Sequence, residues 1–120
     1  MIVQLRSVSD QLSEIVRGIE AATLEPGFAV ELVTVFAQIE KSAAAGKAIS
    51  AERVASSGTW RTWGDRSPAH FISKKTGDSV GACVTAIETA KRMAELPKAD
   101  DAFRSGKLTA PQAAEIASAA

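Results

Sequence analysis

The chain has 120 residues, 46% of them hydrophobic, and its fourteen basic and fourteen acidic residues give a formal net charge of zero. This length suits one modest domain, and the zero net charge excludes a global field that would draw the chain onto DNA or a membrane. The single cysteine, Cys83, excludes an internal disulfide and favours a cytoplasmic location. The longest apolar stretch, residues 28–39, is too short and too polar to span a bilayer, so no membrane partner is expected.

Residues 1–56 predict two long helices. The first helix is expected to begin at Ser9, and its apolar residues fall on one face at helical spacing: Val8, Leu12, Ile15, Val16 and Ile19. A Pro26-Gly27 pair interrupts the pattern, as such pairs usually do. A second apolar stripe then runs from Phe28 to Ile39 and predicts the second helix.

The second helix is expected to continue through Gly46 to about Val54, because an isolated glycine costs only about 1 kcal/mol inside a helix. Residues 57–66 then predict a loop that holds Trp60 and Trp63. We expect Trp63 to cover the end of the helices. For Trp60 two roles stay open: the same covering role, or an exposed surface for stacking on bases or docking a partner.

Residues 67–120 predict shorter helices with clear local signals. Ser67-Pro68 begins the third helix, and Gly77 ends it. Ser79, or alternatively Asp78, caps a fourth helix that is expected to run to about Glu95. Its predicted buried face consists of Val80, Cys83 or Val84, Ile87, Ala90 and Ala94.

Two further helices complete an all-α helical bundle of about six helices. Pro97 and Gly106 bound the fifth helix, and Thr109 with Gln112 matches a capping box that begins the sixth. We assign residues 1–120 to a single domain. Because the last helix has no stop signal, this domain is expected to be the N-terminal part of a longer protein.

Residues 69–87 predict a helix-turn-helix-like corner. Gly77 permits the turn, small Ser73 permits close crossing of the helices, and Ile72 and Cys83 supply apolar contacts between them. An ordinary glycine-capped corner is the alternative. The exposed start of the second helix carries no Arg, Lys, Asn or Gln, which are the side chains that make bidentate contacts to bases.

The segment 53–76 is a local basic island, with five basic residues and one acidic residue, a net charge of +4. Its basic side chains and the hydroxyls of the following helix suit weak, salt-sensitive contacts with the DNA backbone. The candidate DNA-binding residues are Arg61, Arg66, Lys74, Lys75, Ser79 and Thr85.

No catalytic residue, metal site, cofactor or small-molecule substrate is predicted. His70 is the only histidine, and no nucleophile and orienting acid converge on it. One cysteine and one histidine do not make a metal site. Cys83 is expected to be a buried, inert thiol.

Several motifs resemble the actinobacterial 13E12 repeat family over residues 60–120: Trp63-Gly-Asp-Arg-Ser-Pro-Ala-His-Phe-Ile72, Thr76-Gly77 with Ser79 and Gly81, Leu96-Pro97, Ala102-Phe103-Arg104, Gly106-Lys107-Leu108 and Gln112-Ala113. The resemblance implies a helical domain of unknown function that often precedes an HNH nuclease domain, in some members within mycobacteriophage-like elements. An HNH site needs several histidines and an Asn or Asp around a metal. With one histidine and no asparagine, this chain is not expected to be an enzyme.

Two functions stay open. The first is a non-catalytic helical module of an HNH-nuclease-associated protein that binds nucleic acid weakly. The second is a helical protein-interaction or oligomerisation module with no nucleic-acid role. The family resemblance, the corner and the basic island are the grounds for the first function, and the second is kept as the alternative. Its grounds are the zero net charge and the alanine-rich helices, which allow a second copy to approach closely.

Overall fold

The computed structural model describes all residues, 1–120, and it is entirely helical, which confirms the predicted fold class. Its six α-helices are α1 (Ile2–Arg17), α2 (Pro26–Ser57), α3 (Pro68–Thr76), α4 (Val80–Met93), α5 (Pro97–Arg104) and α6 (Ala110–Ala119), and two 3₁₀ helices cover Ala21–Thr23 and Thr59–Trp63. The chain divides into two compact units, Met1–Thr34 and Val35–Ala120. The assignment of all residues to one domain stays a prediction.

In the first unit, α1 begins at Ile2, so the predicted start at Ser9 was wrong. The amide of Leu5 already donates to the carbonyl of Met1 at 3.0 Å. Ile2 and Leu5 continue the helical spacing of Val8, and no breaker separates them. A serine inside a helix costs less than about 1 kcal/mol, so Ser9 does not stop the helix.

Glu25 caps the start of α2. Its two carboxylate oxygens accept hydrogen bonds from the amides of Gly27, at 3.0 Å, and Phe28, at 2.9 Å. These backbone hydrogen bonds stabilise the ionised form and hold the pKa of Glu25 below its usual range. The cap was not predicted, because Ser, Thr, Asp and Asn are the usual capping residues.

Alanine forms most of the core of the second unit. One buried cluster contains Ala45, Ala48, Ala90, Met93, Phe103 and Ala113, and the other contains Ala51, Ala69, Ile72 and Cys83. Phe103 and Met93 are the largest fully buried side chains. Because the distance between helices depends on the side chains at their contact, alanine faces allow the helices to lie close together.

The buried face of α4 differs from the prediction. Cys83 and Ala90 are buried as expected, whereas Val84 and Ala94 are exposed, and Val80 and Ile87 are only half-buried. Thr89 and Met93 are buried instead, and the helix ends at Met93 rather than Glu95. Thr89 tolerates burial because its hydroxyl donates to the carbonyl of Thr85 at 2.7 Å.

Local capping signals are confirmed in the second unit. The hydroxyls of Ser67 and Ser79 accept hydrogen bonds from the amides of His70 and Ala82, both at 3.1 Å. Thr109 and Gln112 form the expected capping box. Gly77 ends α3 in the left-handed conformation, with φ +82°. These signals act within one helical turn, which is why they are readable in the sequence.

The prediction of a loop without helical structure over residues 57–66 was wrong for its central part. Thr59–Trp63 forms a 3₁₀ helix. The amide of Arg61 donates to Gly58 and the amide of Gly64 donates to Arg61, each at 3.1 Å. The indole of Trp60 donates to the carbonyl of Ala55 at 3.3 Å and ties this turn to the end of α2.

Gly106→Ala is expected to destabilise the protein more than Gly58→Ala, although both glycines have φ +73°. A left-handed alanine costs about 1–2 kcal/mol at either position. At position 106 the added Cβ would also lie 2.5 Å from Nε2 of Gln38, displacing the 3.0 Å hydrogen bond that this amide donates to the Gly106 carbonyl. At position 58 the space is open. Urea denaturation should show an additional loss of about 1 kcal/mol for Gly106→Ala, and equal losses would contradict this explanation.

Candidate interaction surfaces

The helix-turn-helix-like corner is held by local hydrogen bonds. The hydroxyl of Ser73 donates to the carbonyl of Asp78 at 2.6 Å, and the amide of Asp78 donates to the hydroxyl of Thr76 at 3.1 Å. Ile72 and Cys83 lie in the same buried cluster, as expected for the two helices of such a corner. The corner is therefore rigid and its turn polar groups are largely satisfied within the chain.

The two predicted hydroxyl contacts to DNA also hold the local backbone. The Ser79 oxygen accepts the amide of Ala82 as the cap of α4. The Thr85 hydroxyl donates to the carbonyl of Gly81 at 3.1 Å, so its hydrogen is used inside the helix. The Ser79 hydroxyl can still donate its hydrogen to another acceptor, such as a phosphate oxygen. The Thr85 hydroxyl has only acceptor lone pairs left, and a phosphate oxygen needs a donor.

Lys74 balances a buried acid. Its ammonium lies 2.7 Å from Oδ1 of Asp65, whose side chain is only 8% exposed. The second oxygen of Asp65, Oδ2, is buried and has no hydrogen-bond partner within the protein. Because a buried carboxylate without a counter-charge is costly, Lys74 has a structural role that competes with any contact to phosphate.

Two of the three remaining basic candidates, Arg61 and Lys75, lie beside aromatic rings. The guanidinium of Arg61 lies 5.1 Å from the centre of the Trp60 ring, and Lys75 lies 5.8 Å from the Trp63 ring. Trp63 is 66% exposed, so the expectation that it covers the end of the helices was wrong, whereas Trp60 is half-buried. Arg66 is exposed. The exposed pair of Trp63 and Lys75 forms a surface with an aromatic face and a cation.

His70 takes part in the cap of α3. Its Nδ1 lies 2.6 Å from the hydroxyl oxygen of Ser67, which also accepts the backbone amide of His70. The nearby carboxylate of Asp65 is paired with Lys74 instead. No group of three or more His, Cys, Asp or Glu side chains is placed to hold a metal ion. Cys83 is a buried free thiol, as predicted.

A cleft of about 370 Å³ lies within the second unit. Short side chains of α2, α4 and α6 form most of its wall: Ala44, Ala48, Ala51, Ala82, Ala86 and Ala114. The charged groups that line it, Lys47 and Asp78, are paired at 2.8 Å. The hydrogen bond and the charge of Lys47 hold the pKa of Asp78 below its usual range. The cleft offers apolar contacts and one neutralised ion pair.

The first unit carries an exposed apolar surface on α1. We call Leu5, Val8, Leu12, Ile15 and Val16 the α1 stripe, because they fall on one face of the helix. Four of them, Leu5, Val8, Ile15 and Val16, are between 49% and 58% exposed. No residue of α1 is buried. Within the first unit the α1 stripe is therefore an exposed apolar face, and helices of this kind are stabilised mainly by covering such a face.

Comparison of the chain with protein-family models, with curated proteins and with solved structures finds no match. The resemblance to the 13E12 repeat family therefore stays a prediction. No helix is long and apolar enough to cross a membrane.

Lys74→Met is expected to destabilise the protein by about 1–3 kcal/mol, because it leaves the buried carboxylate of Asp65 without its counter-charge. Lys47→Met is the matched control, since it breaks an ion pair of similar length whose carboxylate is 39% exposed. Water solvates that carboxylate when the lysine is removed, so the control should lose much less. Chemical denaturation of both variants at pH 7 tests this, and indistinguishable losses would show that Asp65 does not need Lys74.

Proposed function

We propose that this chain is a helical protein-interaction module that self-associates through the α1 stripe, and that it acts by binding rather than by catalysis. The observation that carries the proposal is the exposure of a continuous aliphatic face on a helix with no buried residue. A reduced, buried Cys83 suits a cytoplasmic location for such a module.

The energy available from the α1 stripe favours a weak complex. Covering a half-exposed aliphatic side chain contributes about 1 kcal/mol. Four such side chains in each of two copies contribute about 8 kcal/mol. The loss of translational and rotational freedom costs about 4–15 kcal/mol, so the complex is expected to form at high rather than low protein concentration.

Light scattering over a range of protein concentrations should show a mass that rises above that of one chain. The double variant Leu5→Glu and Ile15→Glu should remain monomeric at the highest concentration, because each complex would bury uncompensated charge. Val3→Glu is the control, since Val3 is 78% exposed on the opposite side of α1 and its replacement should leave the mass unchanged. A wild-type chain that stays monomeric throughout would refute self-association.

A second candidate function is weak nucleic-acid binding, as a targeting module of an HNH-nuclease-associated protein. It is supported by the exposed indole of Trp63 beside the ammonium of Lys75, together with the exposed guanidinium groups of Arg61 and Arg66. Aromatic faces stack on bases and cations attract phosphates. The structural roles of Lys74 and Thr85 reduce the number of free contacts, so this function ranks second.

Replacing Arg61, Arg66 and Lys75 together with Gln should abolish the binding of duplex DNA at low salt, if this second function is correct. The slope of log affinity against log salt should fall by up to about 3, one for each lost phosphate contact. Replacement of Lys91, Lys98 and Lys107 with Gln removes the same charge elsewhere and should change little. A mobility-shift assay that shows equal binding by both triple variants, or no binding by the wild type, would remove this candidate.

A further inference from the structure

Two tryptophans with a cation beside each ring lie next to one another in the second unit. Trp60 and Trp63 fall on one side of the 3₁₀ helix that follows α2, because they are three residues apart in a helix with about three residues per turn. The guanidinium of Arg61 lies 5.1 Å from the centre of the Trp60 ring. The ammonium of Lys75 lies 5.8 Å from the centre of the Trp63 ring and 5.4 Å from that of Phe71. We call these five residues the aromatic platform.

The aromatic platform is open to solvent, and its cations have no acidic partner. Trp63 is 66% exposed, and Arg61 and Lys75 are exposed as well. None of the chain's four ion pairs involves Arg61, Lys75 or the neighbouring Arg66. Asp65 is the only acidic residue of the basic island, and it is already paired. An anionic ligand therefore meets three cations that no carboxylate neutralises.

The combination of exposed planar groups and free cations selects the class of ligand. Indole rings and guanidinium planes stack on unpaired bases, and cations attract the phosphates that link those bases. Trp63 supplies an indole face, and Arg61, which lies over Trp60, supplies a guanidinium plane. A ligand that is only anionic would not use the indole, and a ligand that is only apolar would not use the cations.

We infer that the aromatic platform binds a single strand of nucleic acid and prefers it to a duplex. This inference rests on the second candidate function proposed above and names its ligand. In a duplex the bases stack on one another and present only their edges in the grooves, so the indole finds no base face. The exposed start of α4 has no Arg, Lys, Asn or Gln to contact those edges. A duplex is left with contacts to its phosphates alone.

Strands of DNA and of RNA are expected to bind alike. The polar groups of the aromatic platform are all donors, so none of them accepts the hydrogen of a 2′-hydroxyl. The indole N–H of Trp60 already donates to the carbonyl of Ala55. The platform thus recognises base faces and phosphates, which the two kinds of strand share.

Trp63→Leu tests the aromatic platform without changing its charge. Anisotropy of a labelled oligothymidylate of about 12 nucleotides at low salt should show that the wild type binds this strand at least about fivefold more tightly than its duplex with oligoadenylate. The variant should lose about five- to one-hundredfold in affinity for the single strand and nothing for the duplex. Phe28→Leu is the matched control, because Phe28 is an aromatic residue with 51% exposure outside the basic island. It should leave both affinities unchanged.

Quenching of tryptophan fluorescence in the wild type supplies a second measurement that needs no variant. Oligothymidylate, and oligouridylate of the same length, should quench the emission, whereas the duplex should not. Equal affinities for strand and duplex would overturn the inference, as would a folded Trp63→Leu chain that binds the strand like the wild type, or RNA bound much more tightly than DNA. The absence of binding to both strand and duplex would instead refute the nucleic-acid function itself.

Discussion

The distribution of side-chain volume is the constraint on which the rest of the structure depends. In the unit Val35–Ala120, alanine faces surround Phe103 and Met93, the two largest fully buried side chains. These helices bury apolar side chains by packing against one another. An alanine-lined cleft remains among α2, α4 and α6. In the unit Met1–Thr34 the aliphatic side chains are large, yet none is buried. The second unit thus has a buried core of its own, whereas the first unit has exposed aliphatic side chains and no buried residue.

Some polar side chains form hydrogen bonds or ion pairs within the chain, and others remain available to a ligand. The hydroxyls at the starts of α3, α4 and α6 serve as caps, and Lys74 compensates the buried carboxylate of Asp65. The basic island at residues 53–76 therefore has fewer basic side chains available to a ligand than its net charge of +4 suggests. Only its exposed arginines and the ammonium of Lys75 beside Trp63 are available to an anionic partner. For this reason we rank the proposed binding of nucleic acid below the proposed association through α1.

Features that depend on neighbouring residues were predictable, and features that depend on tertiary contacts were not. Ser67, Gly77 and Thr109 signal helix ends within one turn, so α3 and α6 could be placed from the sequence. The burial of Met93 and Thr89 depends on which helices pack against α4. Hydrophobic periodicity alone therefore predicted the wrong buried face for this helix. The ion pair joins Asp65, before the start of α3, to Lys74 in the last turn of that helix. The exposure of the α1 stripe could not be predicted either, because an amphipathic pattern does not identify the element that packs against the apolar face.

The central claim is that the α1 stripe is covered only when copies of the chain associate. Hydrogen–deuterium exchange measured at low and high protein concentration tests this most directly, because amides of a helix that is covered by a partner open less often. We predict that exchange of residues 2–17 slows as concentration rises, while exchange of α4, whose core contacts lie within the chain, stays the same. Exchange of residues 2–17 that is independent of concentration would contradict the account.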